Sequence, residues 1–186
     1  MVGRAAFFEP LVHLRRSLSP LSIPLPWCLQ LNHYRFSLSW ARLLPYGNSS
    51  HSKTALKHYN DVIDALLAAG IEPVVTIYHW DKPAVFQNDG GWLNSSMQER
   101  YVAYARFCFD NFGDRVKTWL LVNEPMMHCW LGYDGSSMYG STAPGVEMPG
   151  VGGYLCNHNM VLAHAKAYRV YQKDFKHQGG EFITVY

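Results

Sequence analysis

Residues 118–125 read Thr-Trp-Leu-Leu-Val-Asn-Glu-Pro, and this stretch decides the fold of the chain. Its first five residues suit a buried β-strand that runs straight into Asn123 and Glu124. Pro125 ends the strand, because proline has no N–H to donate to a neighbouring strand. Glu124 is therefore expected on a rigid element at the edge of a sheet, where a carboxylate can do chemistry. The alternative is that Glu124 only complements the dipole of a following helix.

Three further stretches on either side of this one also indicate strands, and helical patterns separate them. Residues 33–40 alternate, with Tyr34, Phe36, Leu38 and Trp40 on one face. Strands are also predicted at residues 71–78 and 181–186. Apolar residues recur at helical spacing between Tyr59 and Leu67, between Ser95 and Phe112, and over residues 154–172. Strands that alternate with helices predict βαβ units and a parallel sheet, which is an α/β fold.

Two local features complete the predicted secondary structure. Ser95, followed by Gln98 three residues later, predicts a capping box at the start of the second long helix. Residues 126–153 are rich in Gly, Ser, Met and Pro, and they predict a long loop of the kind that is often functional.

The composition indicates a single globular domain and argues against several functions. The chain has 186 residues, of which 48% are hydrophobic and 15% aromatic, enough for a sizeable core. A net charge of +2 and the lack of a basic stripe argue against nucleic-acid binding. The sequence has no apolar run of spanning length, so we expect no membrane span.

Metal and cofactor motifs are missing from the sequence. It contains no HExxH, no CxxC and no Walker-type phosphate loop, so we expect neither a metal site nor a cofactor. Without paired spacing in a chain of this size, the cysteines are predicted to be buried free thiols rather than a disulfide framework. They are Cys28, Cys108, Cys129 and Cys156.

Polar side chains follow two neighbouring strands of the predicted sheet. His79, Trp80 and Asp81 come after the second strand, and Asn123 and Glu124 after the third. Ligands of parallel sheets bind beyond the carboxyl ends of the strands, so these residues predict one site. Trp80 taken alone is as well explained as a core residue. An aromatic ring that stacks on a sugar, with polar groups for its hydroxyls, predicts a carbohydrate ligand.

Several motifs together resemble family 1 glycoside hydrolases, the β-glucosidase and lactase-like group. They are Asn32-His-Tyr-Arg-Phe-Ser-Leu-Ser-Trp40, Tyr78-His-Trp-Asp81, Thr118-Trp-Leu-Leu-Val-Asn-Glu-Pro125 and Ala163-His-Ala-Lys-Ala167. The resemblance covers about residue 29 to the end. It implies a partial (β/α)8 TIM barrel, similar to barrel strands two to five, and retaining hydrolysis of a small β-glycoside substrate.

The resemblance also implies a role for each matched residue. Glu124 would be the general acid/base, protonated to assist the leaving oxygen and then ionised to activate water. Asn123 would bind the sugar 2-hydroxyl, and His79 the 3-hydroxyl with Trp80 nearby. Arg35 would support the nucleophilic carboxylate. Lys82 stands where the family usually has Leu.

The sequence departs from the family in what it lacks. The Thr-Glu-Asn-Gly motif that carries the family's nucleophile does not occur, and neither does the first barrel strand. We therefore expect a fragment, an alternative product or an incomplete gene model, with self-association through exposed barrel edges. Two functions stay open: a β-glucosidase-like hydrolase, and a non-catalytic remnant that binds sugar or a partner.

The amino-terminal part differs from the rest. Residues 1–29 are predicted to be an unmatched, poorly ordered segment that precedes the partial barrel domain of residues 30–186, because Pro20, Pro24 and Pro26 disfavour a regular element. No clear signal peptide is recognised, so the location stays open between cytoplasmic and secretory or lysosomal. The sequons at Asn48 and Asn94 matter only in the secretory pathway.

Overall fold

The computed structural model describes residues 31–47, 50–135 and 142–185, with only the backbone at residue 185. Its strands are β1 (His33–Ser37), β2 (Glu72–Tyr78), β3 (Thr118–Asn123) and β4 (Glu181–Val185). Its helices are α1 (Trp40–Leu43), α2 (Lys53–Ala68), α3 (Met97–Phe112), α4 (Pro125–Cys129) and α5 (Gly152–Val170). The predicted segment at residues 1–29 and the sequon residue Asn48 lie outside the described residues.

The four strands form one parallel sheet in the order β1-β2-β3-β4, which confirms the predicted α/β fold. Phe36 pairs with Val75, Val75 with Trp119, and Trp119 with Phe182. These side chains pack toward the helices, where they join one hydrophobic core. Strands of a parallel sheet need crossover connections, and α2, α3 and α5 lie in them.

Helix α3 is fastened to the sheet by hydrogen bonds as well as by apolar contacts. The hydroxyl of Tyr101 donates to the carbonyl of Leu121 at 2.6 Å, and that of Tyr104 donates to the carbonyl of Ile77 at 3.0 Å. Both tyrosines are fully buried. The phenolic groups are thereby satisfied inside an aromatic core, as buried polar groups must be.

The predicted first strand is too long at its carboxyl end. It stops at Ser37, and Trp40 begins helix α1 instead of continuing the alternation. Ser39 caps this helix, because its hydroxyl accepts from the backbone N–H of Arg42 at 3.3 Å. Trp40 stacks on Tyr104 with ring centroids 4.7 Å apart, so core packing explains its burial.

The predicted capping box of Ser95 and Gln98 is wrong. Helix α3 begins at Met97, with Ser96 as its N-cap residue and no side-chain cap bond. Gln98 instead donates to the side chain of Asn159 on α5 at 2.8 Å. A buried partner on another helix thus outcompetes the local backbone for this side chain.

The predicted long loop after β3 is largely structured in its described part. Helix α4 follows Glu124 directly, and residues 130–134 add a π-helical turn. Helix α5 then begins at Gly152, where an added Cβ would lie 2.0 Å from the carbonyl oxygen of Tyr133. Glycine is required at this position, because no side chain fits between the two segments.

The prediction of free thiols is wrong for Cys129 and Cys156, which form a disulfide between α4 and α5. Their Cα atoms are 5.5 Å apart, although 27 positions separate them in sequence. Helix α4, which carries Cys129, was not predicted from the sequence. The spacing of the cysteines therefore could not reveal the pair. Cys108 is a buried free thiol, as predicted, and Cys28 lies outside the described residues.

Candidate active site

The exits of β2 and β3 lie side by side. Tyr78 at the end of β2 pairs with Val122 on β3, so the residues that follow leave the sheet at one edge. Trp80 and Glu124 both have left-handed backbones, with φ of 78° and 42°, the only positive φ values at non-glycine residues in the described ranges. Such conformations cost about 1–3 kcal/mol each and concentrate at functional sites.

A register shift in β3 sets the direction of Asn123. Leu120 pairs with Ile183 and Asn123 with Val185, so β3 has one extra residue along this stretch of β4. Strict alternation from Trp119 and Leu121 would turn Asn123 toward the helices. The bulge instead lets its side chain reach Arg35. Bulges next to active sites commonly redirect a side chain in this way.

Asn123 is the centre of a hydrogen-bonded network. Its side-chain oxygen accepts from the guanidinium of Arg35, and its side-chain nitrogen lies 3.0 Å from Nε2 of His79. The indole of Trp80 donates to its backbone carbonyl at 2.8 Å. The predicted sugar-binding residues His79 and Trp80, together with Arg35, therefore all contact Asn123.

The network favours a neutral His79. Burial lowers the pKa of His79, and the positive charge of Arg35 lowers it further against the opposing effect of Glu124. Because the amide nitrogen of Asn123 can only donate, Nε2 accepts and the imidazole proton lies on Nδ1. That leaves an N–H donor on the other side of the ring.

Arg35 is held between the sheet and Glu124. Its Nε donates to the hydroxyl of Thr76 at 3.1 Å. Burial lowers the pKa of Arg35, whereas the charge of Glu124 acts in the opposite direction. Arginine stays protonated in proteins, so this guanidinium provides a fixed positive charge beside the carboxylate.

Glu124 is half-buried and precedes α4, with Pro125 in the first turn of the helix. Its side chain makes no capping hydrogen bond to this helix. The alternative role as a helix cap therefore lacks its hydrogen bond. The carboxylate stands directly before Pro125, at the exit of β3.

A layer of buried residues that sequence reasoning missed packs against Trp80 through His128. His128 stacks on Trp80 with ring centroids 5.4 Å apart, and its Nε2 lies 3.2 Å from the hydroxyl of Tyr78. That hydroxyl also accepts from the indole of Trp92 at 2.9 Å. The available signal was the position of His128 four residues after Glu124, one helical turn away.

His128 and the neighbouring Lys82 have strongly perturbed pKa values. Burial, with smaller effects of Lys82 and His79, lowers the pKa of His128 to about 3. Burial also lowers the pKa of Lys82 to about 8, and its ammonium group lies 5.6 Å from the ring centroid of Tyr133. Lys82 is thus part of the wall of the site, at the position where the sequence departs from the family.

Asp81 lies apart from the Asn123 network. Burial raises its pKa to about 6, against the effects of the Ser39 hydroxyl and of nearby backbone N–H groups, including that of Trp40. Asp81, which the sequence predicted to join the same site, therefore faces the exit of β1 instead. Its surroundings fit a structural residue between two strand exits.

The described residues show neither a metal-binding cluster nor a membrane-spanning helix. No three side chains among the described His, Cys, Asp and Glu residues come together as a metal-binding cluster. None of the helices in the described part of the chain is long and apolar enough to cross a membrane.

Comparison with known proteins places this arrangement in a family. The sequence pattern of glycosyl hydrolase family 1 matches residues 22–184. The cytosolic beta-glucosidase of Cavia porcellus is 46% identical over 158 residues, which are 84% of this chain and 33% of that protein. The lactase/phlorizin hydrolase of Homo sapiens is 42% identical over 159 residues, which are 84% of this chain and 8% of that protein.

Solved structures show the same relationship. The family 1 b-glucosidase from Thermotoga maritima superposes with a TM-score of 0.79 at 40% identity, over 87% of this chain and 35% of that chain. This chain thus spans about a third of the length of that structure and of the Cavia porcellus relative. Its four parallel strands and flanking helices form part of a (β/α)8 barrel. On the extent and the identity of these matches, the chain belongs to glycosyl hydrolase family 1.

Proposed function

We propose that this chain provides the acid/base half of a β-glycosidase site, in which Glu124 exchanges protons with a β-glycoside. The observation that carries the proposal is the convergence of Arg35, His79 and Trp80 on Asn123, next to Glu124 in sequence. A ring for the sugar face, neutral donors for hydroxyls and a carboxylate at one sheet edge are the elements of a carbohydrate site.

The proton transfers follow from the position of Glu124. In the first step the protonated carboxyl gives its proton to the glycosidic oxygen as the bond to the sugar breaks. In the second step the carboxylate takes a proton from the water that attacks the sugar. The charge of Glu124 acts to raise the pKa of Arg35, so the guanidinium keeps its positive charge near the group that takes up this proton.

The sugar would be held by the network around Asn123. Its amide and the neutral imidazole of His79 are proposed to bind neighbouring hydroxyls of the sugar, and Trp80 is proposed to contact its apolar face. His128 would keep the indole in position, because the two rings are stacked. The mechanism would retain the configuration of the sugar, as the resemblance implies.

Retention needs a second carboxylate about 5–5.5 Å from the first. Among the described carboxylates, Glu124 is the one that acts on the pKa values of both Arg35 and His79. Asp134, which follows α4 in the sequence, accepts a hydrogen bond from the backbone N–H of Gly150 at 2.8 Å. We therefore propose that the nucleophile is not supplied by these four strands and the helices that connect them.

The proposed lack of a nucleophile favours a second candidate function, in which the chain alone binds a sugar without hydrolysing it. The two candidates are separated by activity of the purified chain toward an aryl β-glucoside. We expect no appreciable turnover, and we expect methyl β-glucoside to give heat on titration that Asn123→Ala abolishes. Hydrolysis that disappears in Glu124→Gln but persists in Asp110→Asn would contradict the second candidate. Asp81, Asp134 or Glu147 would then have to act as nucleophile.

The first candidate is tested in a chimera, in which the remaining barrel strands of a relative complete these four strands. There Glu124→Gln should slow hydrolysis about 10²–10⁴-fold for glycosides with poor leaving groups. The loss should be smaller for activated aryl glycosides, which need little protonation. Equal losses for both substrates would contradict the role of Glu124 as the proton donor.

A further inference from the structure

The loop before α3 carries an exposed sequon in ordered structure. Asn94-Ser95-Ser96 matches the Asn-x-Ser/Thr pattern, and the sequence contains one other such site, at Asn48. Asn94 and Ser95 are exposed, and Asn94 has an extended backbone with φ of −94°. The folded chain therefore has room for a bulky group on this side chain.

The hydrogen bonds of Asn94 are compatible with modification. Its Nδ2 donates one hydrogen to the carbonyl of Asp89 at 3.0 Å, and its Oδ1 accepts from the backbone N–H of Ser96 at 2.9 Å. An amide nitrogen carries two hydrogens. After one is replaced by a sugar, the other still satisfies Asp89, so both bonds survive.

The disulfide is an independent observation about the compartment. Cys129 and Cys156 are both fully buried and joined. Structural disulfides form in oxidising environments such as the endoplasmic reticulum and are rare in the cytosol. The same compartment is where asparagine sequons are glycosylated.

We propose that this chain, when it folds in the secretory pathway, carries an N-linked glycan on Asn94 together with the Cys129–Cys156 disulfide. In the glycan transfer, Nδ2 forms a bond to the anomeric carbon of a lipid-pyrophosphate oligosaccharide and releases one proton. The bond from that carbon to the pyrophosphate oxygen breaks, and its electron pair leaves with the lipid pyrophosphate. In the disulfide step, two thiols lose two electrons and two protons to an oxidised dithiol oxidoreductase.

The glycan would project from the loop between β2 and α3, on the side where Asp89 forms an ion pair with Arg100. The core residue Trp92 lies two positions before Asn94 and is fully buried. The modified side chain therefore stands at the border between the buried core and solvent.

The test uses the full 186-residue chain, expressed in cultured animal cells behind a cleavable secretory leader. Peptide mass spectrometry after treatment with an N-glycosidase reports each occupied asparagine as aspartate. Non-reducing digestion of the same sample reports the peptide pair joined at Cys129 and Cys156. We expect both marks in the same molecules.

Matched variants assign the glycan. Ser96→Ala should remove one glycan, whereas Ser96→Thr and Asn48→Gln should keep the glycan on Asn94. The Ser96 hydroxyl is buried without a hydrogen-bond partner among the described residues, so Ser96→Ala removes no hydrogen bond made by this hydroxyl. Glycan transfer to a sequon does not require a folded chain, so misfolding would not hide the result.

Two outcomes would overturn the proposal. One is an unmodified Asn94 in a chain that has lost its leader. The other is a glycosylated chain in which Cys129 and Cys156 remain thiols. Protease resistance of the glycosylated chain should equal that of Ser96→Ala, and a large loss would show that the folded loop does not accommodate the glycan.

Discussion

At the scale of single residues, Asn123 holds together groups from three strand segments. It joins Arg35 after 88 positions of separation and His79 after 44. Arg35 is partly desolvated, so the hydrogen bonds that replace water stabilise its charged guanidinium. Asn123 is therefore both a proposed ligand of the sugar and a structural residue.

Replacing Asn123 by alanine should lower the free energy of unfolding by about 1–3 kcal/mol, because Arg35 and His79 lose a buried partner. Urea denaturation of the purified chain measures this difference. Asn157→Ala is the matched control, since among the described residues that side chain bonds to Gly153 within its own helix, at 2.9 Å. We expect the control to change stability by about 0.5 kcal/mol or less. Equal losses in the two variants would contradict the central position of Asn123.

Two buried groups give the folded state opposite responses to pH. The pKa of His128 is lowered to about 3, so its stabilising effect is present above the unfolded pKa of about 6.5 and is lost as the pH falls. The pKa of Asp81 is raised to about 6, so its effect is present below about pH 4 and is lost as the pH rises toward 6. Between pH 4 and 6 the two slopes oppose each other.

Single variants should separate these slopes. In His128→Gln we expect stability to decline as the pH rises from 4 to 6, because the effect of Asp81 is no longer offset. In Asp81→Asn it should decline as the pH falls over the same range. Each slope should be about 1.4 kcal/mol per pH unit, measured by urea denaturation at each pH. Parallel pH profiles for the two variants would contradict the assigned pKa directions.

At the scale of elements, the disulfide fixes the short helix that follows Glu124. Helix α4 has only five residues, too few to be stable by itself in water. The Cys129–Cys156 bond ties it to the 19-residue helix α5, which also packs against α3. The position of the proposed acid/base thus depends on contacts made later in the chain.

Removing this bond should destabilise the chain by about 2–4 kcal/mol, because closing the loop restricts the unfolded state. Cys156→Ala, measured by urea denaturation without reductant, tests this value. Cys108→Ala is the control, because it removes a buried sulfur that forms no disulfide. A reductant should lower the stability of the control but leave Cys156→Ala unchanged. Sensitivity of Cys156→Ala to the reductant would count against this disulfide.

At the scale of the whole molecule, apolar surface remains exposed along α5. Tyr154, Val161 and Tyr168 recur every seven residues on one helix face, and all three are exposed. Strands β1 and β4 are the edges of the sheet, and Ile183 on β4 is exposed as well. A closed barrel has no edges, so the strand edges at β1 and β4 would be paired in an eight-stranded member of the family.

We therefore propose that the purified chain self-associates at micromolar concentration through these edges and the α5 face. Light scattering should give a mass above that of the monomer, 21.2 kDa. Val161→Lys should shift the mass toward the monomer, because it places a charge in the apolar stripe. Thr54→Lys, which adds the same charge at an exposed position of α2, should not. A monomer with a sharp thermal transition would contradict the proposal.

The sequence by itself determined the strands, the three long helices and the edge of the sheet at which the site lies. Local periodicity carries this information, because burial of one face requires apolar residues every second or every third to fourth position. The parallel direction of the strands followed from the alternation of strand and helix, and their order was implied by the family resemblance. The cluster of His79, Trp80, Asn123 and Glu124 was predictable because parallel strands all end at the same edge.

Only the tertiary structure decided how the polar side chains point and which of them meet. The bulge in β3 depends on its pairing with β4, about 60 positions later, and it turns Asn123 toward Arg35. The disulfide depends on the packing of α4 against α5. Gln98, which was predicted to cap helix α3, instead donates a hydrogen bond to Asn159, 61 positions away. Partners so distant leave no mark in local periodicity, because periodicity reports which face is buried and not what covers it.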